Sequence, residues 1–343
     1  MSDAPTTAES HYSWLLLAHQ LPPKPAYFRV KIWRRLQGLG AVAIKNSLYA
    51  LPAGEQARED FQWLLREIAE GGGEAAVFEA RFVDGLTDPE VRALFDKARD
   101  ADYEALAADA RELAEALAAP KADPKIPKTG PKIWIARKGD VRTQAIRLRR
   151  RLAEIAAIDF FGAGGREPVE GLLAGIEARL AATELGLDRK QATTAARDIR
   201  TLTGRTWVTR RGVQVDRIAS AWLIRRSIDQ QARFKFVPDK GYAPEPGELR
   251  FDMFEAEYTH EGDRCTFEVL LAKLVPPDRS LQAMAEIVHD IDLKDGKFQR
   301  EEAPGIRTLL SGIAAATDDD ERRLERGGAV FDDLYEHFRR TRD

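Results

Sequence analysis

A chain of 343 residues, 44% hydrophobic and 32% charged, is long enough for two cores, and its longest apolar runs, such as Trp14–Ala18, fall far short of the roughly 20 residues of a membrane helix. Lys and Arg number 53 against 56 Asp and Glu, a net charge of −3, which argues against a generally sticky nucleic-acid binder. Cys265 is the only cysteine, so a disulfide within the chain is excluded, and no basic-then-apolar leader pattern opens the sequence; the cytoplasm is the expected location.

Trp14–Leu17 reads as a first strand, and Pro22, Pro23 and Pro25 mark its exit. A basic amphipathic helix is expected over about Tyr27–Leu39, stopped by Gly38 and Gly40. Ala41–Leu51 reads as a second strand, Gln56–Glu70 as a second helix and Ala75–Phe82 as a third strand. The order βαβαβ suggests a ferredoxin-like unit over residues 12–118, which includes a long helix over Asp88–Leu117. Residues 119–131, rich in proline and lysine, are the expected linker. A helical, basic middle region follows over 132–204, with helices at about Lys138–Ile158, Glu167–Ala182 and Arg189–Leu202.

The last region, 205–343, reads as a separate α/β domain, so the whole chain is α+β. It opens with a short strand, Trp207–Arg210, and a helix from Asp216 that is apolar nearly all round and therefore buried. Strands are expected at Phe234–Val237 and Leu249–Tyr258, and helices at about Thr266–Leu274, Ser280–Asp290, Pro304–Ala315 and Asp319–Phe338.

The strings TWVTRRGVQVDRIASAWLIRR, FDMFEAEYTHEGDRCTFE, EIVHDIDL and AVFDDLYEHF, spread from Trp207 to Phe338, resemble the C-terminal domain of the ChrB chromate-resistance proteins. WLLLAHQLPPKPAYFRVKIWRRLQGLGAVAIKNSLYALP is similar to that family's N-terminal half. Its second part also resembles the ferredoxin-like segment of phenylacetic-acid-type repressors and CRISPR adaptation nucleases. The nucleases would want an acid at the end of the first strand, where this chain has Ala18-His19-Gln20-Leu21. The ChrB resemblance implies a chromate-responsive regulator of an efflux operon, with operator DNA and chromate or a sulfate-like oxyanion as partners. A homodimer is also expected, and neither enzymatic activity nor a resident cofactor is.

Chromate is a tetrahedral dianion, which calls for forked donors and positive charge. Arg210 at a strand end, the Gly212 turn and Arg217 in the first turn of the next helix offer them, with backbone N–H groups at that helix start. His260, after a strand and before a turn, is a third candidate ligand, expected to be exposed. The plainer alternatives are an N-cap Asp216 paired with a nearby arginine, and a turn histidine bonded to backbone. Replacing Arg217 by Ala is expected to abolish the chromate response and leave the fold intact. The rival chemistry is a divalent metal held by His260, Cys265 and His289, in a hydrolase or redox enzyme. For DNA phosphates the expected contacts are Arg29, Lys31, Arg34 and Arg35 on the first helix and Arg142, Arg147, Arg150 and Arg151 on the middle one. A solvated helix face is the alternative there.

Overall fold

The computed structural model describes residues 13–118, 131–184, 202–238, 242–253 and 256–340. Two compact units form: one takes the residues up to Ala105 together with Arg151–Arg166, the other Leu106–Arg150 together with the residues from Glu167 onward. Most of the expected linker (119–130) and most of the expected helix over Arg189–Leu202 lie outside the described residues.

The first unit runs β1 (Trp14–Gln20), α1 (Ala26–Gly38), β2 (Val42–Lys45), β3 (Leu48–Pro52), α2 (Glu55–Glu70) and β4 (Glu74–Ala80). Its antiparallel sheet has the order β2-β3-β1-β4, which is the ferredoxin-like arrangement. The single strand expected over Ala41–Leu51 is in fact a hairpin that reverses at Asn46-Ser47. Apolar residues continue on both sides of that two-residue turn, so periodicity alone passes over it. Central β1 buries Trp14, Leu15, Leu16 and Leu17. Phe28, Ile32 and Leu36 of α1 and Phe61, Leu64 and Ile68 of α2, all at helical spacing, belong to the same core.

Helix α3 (Asp88–Ala118) starts in this unit. Asp159 is buried and accepts from the Tyr103 hydroxyl and from the backbone N–H groups of Gly162 and Ala163. Asp96 fares worse. Its Oδ1 is buried without a hydrogen-bond partner. Burial, with the charges of Asp159 and Asp100 and against that of Arg92, pushes its carboxyl from 3.8 to about 6. The folded chain therefore holds this proton more tightly than the unfolded chain does. Stability is lost as pH rises from about 4 through about 6, and the deficit persists above that. An Asp96→Asn variant is expected to be more stable than the parent at neutral pH by roughly 1–2 kcal/mol, a figure reduced for the water that reaches the partly exposed carboxyl. That advantage should vanish near pH 4. Urea midpoints across this range check it; a pH-independent difference would contradict it.

The second unit contains the end of α3, most of α4 (Pro131–Ala157) and α5 (Arg166–Glu184). It continues with β5 (Thr206–Arg210), α6 (Val215–Leu223), a π-helical turn (Ile224–Ile228), β6 (Arg233–Val237) and β7 (Glu248–Arg250). Helices α7 (Thr266–Leu274), α8 (Arg279–Asp292), α9 (Ala303–Ala315) and α10 (Asp320–Arg340) complete it. The sheet is wholly parallel, in the order β6-β5-β7. Helix α6 is buried along Ile218–Leu223, in the core with Phe267, Leu270, Met284, Val288, Leu324 and Phe331. The strand expected over Leu249–Tyr258 stops at Arg250, because Asp252 takes a left-handed conformation (φ 47°) and turns the chain. Phe251 and Met253 are buried all the same, so their hydrophobicity reports a buried turn and not a longer strand.

Candidate functional site

The carboxyl ends of parallel strands are where α/β sheets place their ligands. Here Arg210 ends the central strand β5, Arg217 stands in the first turn of α6, and Asp252 lies two residues past β7. His260 comes from the turn that precedes α7. The structure thus gathers all three sequence-selected residues, Arg210, Arg217 and His260, around one buried polar cluster.

None of them faces open water. Arg210 Nη2 lies 2.6 Å from Glu167 Oε1, and Arg217 Nη2 lies 3.8 Å from the same oxygen. Arg217 Nε is 3.2 Å from Asp252 Oδ2 and donates to the Asp252 carbonyl. The Thr266 hydroxyl donates to Asp252 Oδ1 over 2.8 Å, and His260 Nδ1 is 3.4 Å from that oxygen. On its other side His260 Nε2 is 2.8 Å from Asp292 Oδ2 and 3.9 Å from Asp216 Oδ2. The expectation of an exposed His260 is therefore corrected: it is 4% exposed. The backbone of α5 lies against it at Gly171, where a Cβ would sit 2.5 Å from His260 Cβ, and Gly262 N–H donates to the Gly171 carbonyl.

Two further readings change. Asp216 does not cap its own helix, whose N-cap is Gln214. It reaches across to the start of α7 and accepts from Thr266 N–H (2.8 Å) and Phe267 N–H (3.0 Å). The backbone donors of the Gly212 turn, offered above to an oxyanion, are engaged: Gly212 N–H and Val213 N–H donate to the Asp320 carboxylate, each over 2.8 Å.

Burial and crowding set the protonation states. Burial pushes the Glu167 carboxyl up despite Arg210 and Arg217. Burial, with Asp252 and Asp292 nearby, pushes Asp216 well up. Asp252 stays well below the usual carboxylate range: burial opposes this, but its hydrogen bond with His260 and the Arg217 charge prevail. His260 is raised well above its usual value against burial, by hydrogen bonds to Asp252 and Asp292.

The metal set proposed from sequence, His260, Cys265 and His289, is not brought to one point. His289 turns its two ring nitrogens to different carboxylates, Glu268 (2.7 Å) and Asp295 (3.2 Å). Cys265 caps α7, and burial together with Asp216 and Glu268 pushes its thiol well up, so it is a packed thiol and not a thiolate. Among the described residues the donor atoms of Asp216, His260 and Asp292 do come together, within 4.8 Å of one another. Sequence reasoning passed over Glu167 and Asp252, which hold the two arginines, and did not single out Asp292 as a partner of His260.

Arg29, Lys31, Arg34 and Arg35 of α1 and Arg142, Arg147, Arg150 and Arg151 of α4 are exposed. Lys31 (2.6 Å) and Arg35 (3.5 Å) pair with Glu67 of α2, whereas Arg29 and Arg34 have no ion pair among the described residues. Tyr27, Val30 and Trp33 are exposed between them. On α4, Arg142, Arg150 and Arg151 have other interactions, Arg149 is held by Glu177 over 2.8 Å, and Arg147 points to solvent.

No helix among the described residues is long and apolar enough to cross a membrane. The family model described as "ChrB, C-terminal domain" matches residues 207–338, and "Protein ChrB, N-terminal" matches residues 29–184. The chain is 31% identical to Protein ChrB of Cupriavidus metallidurans over 344 aligned positions, covering 98% of each sequence. No solved structure matches it. Glu167 thus falls in the stretch matched by the N-terminal model and Arg210 in that matched by the C-terminal one, yet the two meet in one buried ion pair. The chain belongs to the ChrB family, which is associated with chromate resistance.

Proposed function

We propose that this protein is a chromate-responsive, DNA-binding regulator of a chromate-resistance operon, and that Glu167 stands in for the oxyanion when none is bound. The observation that carries this reading is the single Glu167 carboxylate shared by two buried guanidinium groups. A carboxylate and a face of a tetrahedral dianion present similar paired oxygens to an arginine fork. Chromate entering between Arg210 and Arg217 would displace Glu167, and with it the N-terminus of α5. Chromate biases the protein only through its different affinity for the two arrangements of that helix. His260 stands behind this pair through Asp252 and supplies the third positive group. Sensing needs no bond-breaking step, so the chain is read as a binding protein and not an enzyme.

The DNA contact is assigned first to α1, where Arg29 and Arg34 flank exposed Tyr27, Val30 and Trp33. The α4 arginines (Arg142, Arg147, Arg150 and Arg151) are a secondary surface, and Lys31 and Arg35 are weakened by Glu67.

The test uses fluorescence anisotropy of the full chain on its own operon's promoter, with chromate, and with sulfate as control. Glu167→Gln keeps the shape and removes the competing charge. It is expected to lower the chromate concentration that changes DNA affinity by about tenfold, equivalent to about 1.4 kcal/mol. A DNA complex indifferent to saturating chromate, or a Glu167→Gln response equal to the parent's, would defeat the reading. Arg34→Ala should weaken DNA binding across sequences and reduce the salt slope by about one; an unchanged slope would remove α1 from the interface.

A further inference from the structure

We propose that Asp216, His260 and Asp292 bind one divalent first-row transition-metal ion. The three side chains come from the first turn of α6, the turn before α7 and the last turn of α8. Metal–ligand distances of about 2.0–2.2 Å place neighbouring donors of a tetrahedral or octahedral ion roughly 3.0–3.5 Å apart. The separations from His260 Nε2, 2.8 Å to Asp292 Oδ2 and 3.9 Å to Asp216 Oδ2, bracket that value. Small side-chain rotations are enough to seat an ion.

The surroundings also fit. A metal-bound histidine ordinarily gives its other ring nitrogen to a carboxylate that fixes its orientation. Asp252 holds that place at His260 Nδ1, and is itself held by Arg217 and Thr266. The backbone N–H groups of Thr266 and Phe267 fix the Asp216 carboxylate. The local charge leaves room for a cation. Glu167 and Asp252 pair with the two arginines, whereas Asp216 and Asp292 are set about His260, and a cation bound between them would favour the ionised form of both. Asp292, the most exposed of the three, offers a route in. One imidazole among carboxylates favours Mn²⁺, Fe²⁺ or Zn²⁺ over Mg²⁺ and Ca²⁺.

The neighbouring histidine provides the contrast. His289 is clamped between Glu268 and Asp295 on opposite ring nitrogens, and Asp295 also lies 3.8 Å from Arg111. That arrangement leaves no nitrogen for an ion. The proposed site is assayed with neither DNA nor chromate; an ion on His260 Nε2 would take the place of the positive charge that the regulatory reading gives to that ring, so the two readings meet at His260 alone.

The experiment takes the full chain, stripped with chelator, and titrates it with Mn²⁺ and Zn²⁺ by calorimetry, with Mg²⁺ for comparison. One equivalent of Mn²⁺ or Zn²⁺ per chain is expected. Asp292→Asn should weaken it by more than about tenfold, and Glu268→Gln should leave it unchanged. Absence of saturable uptake, equal uptake in Asp292→Asn, or loss confined to Glu268→Gln would overturn the site. Should Asp292→Asn fail to fold, Co²⁺ added to the parent chain decides. Visible d–d bands without a sulfur-to-metal charge-transfer band are expected. No bands, or a strong sulfur band from Cys265, would refute the donor set.

Discussion

An Arg217→Ala variant is expected to lose about 3–5 kcal/mol of stability, the usual cost of removing one partner from a buried ion pair. Arg217 is 8% exposed and lies between Asp252 and Glu167, with its Nε also on the Asp252 carbonyl. Without it, two carboxylates stay buried with reduced compensation, and Asp252, whose ionised form Arg217 favours, becomes harder to keep ionised. The structure therefore revises the expectation that Arg217→Ala spares the fold: loss of the chromate response in that variant would not by itself identify a ligand. Urea unfolding followed by tryptophan fluorescence measures the loss. The double variant Arg217→Met, Asp252→Asn should recover a large part of it, since it removes both charges of that pair while Glu167 keeps Arg210 and His260 keeps Asp292. A single-variant loss below about 1 kcal/mol would mean that the pair is solvated and the cluster looser than described.

Gly171→Ala is the second large effect, and its sign is set by competition between helix propensity and packing. In the interior of α5, replacing glycine by alanine gains about 1 kcal/mol from propensity. The new Cβ, however, would meet His260 Cβ at 2.5 Å and the His260 backbone carbon and oxygen at 3.0 Å. None of these atoms is the free end of a flexible side chain, so helix and turn must separate, at a cost of roughly 1–3 kcal/mol beyond the propensity gain. Gly175, one turn later, is as close to Gly262, with a Cβ-to-Cα approach of 2.8 Å. Together the two glycines let α5 lie on the turn that carries His260. Gly312 in α9 is the internal control: nothing lies within 4 Å of its Cβ position. Gly312→Ala should raise stability by up to about 1 kcal/mol, and Gly171→Ala should lower it. Thermal melts of the two variants side by side check this, and a stabilised Gly171→Ala would show that α5 does not pack as described. Under the proposed oxyanion reading, in which α5 delivers Glu167, Gly171→Ala should also shift the chromate response; Gly312→Ala should not.

Local rules made much of the fold legible. Helix and strand periods placed α1, α2, α3, α6, α7 and the later helices to within a few residues, because each buries one stripe or is buried all round. Two departures had a local physical cause: the Asn46-Ser47 reversal hides inside a continuing apolar pattern, and left-handed Asp252 ends a strand whose apolar residues stay buried.

The sequence by itself determined that Arg210 and Arg217 bring positive charge to a strand end and a helix start, with His260 near a turn, and that Cys265 has no disulfide partner in the chain. Which charges answer them was decided only in three dimensions. Glu167 is 43 residues before Arg210, and Asp292 is 32 residues after His260; no spacing rule links such pairs. Asp216 reads locally as the cap of its own helix but supplies the first turn of α7, 50 residues on. A buried charge is tolerated only with a partner, and the partner is whatever carboxylate the packed backbone brings within about 4 Å. The glycine contacts of α5 bring Glu167 to the arginines, and the packing of α6, α7 and α8 sets Asp216 and Asp292 about His260. Residue types made the site conceivable from sequence, and tertiary packing decided its charge balance.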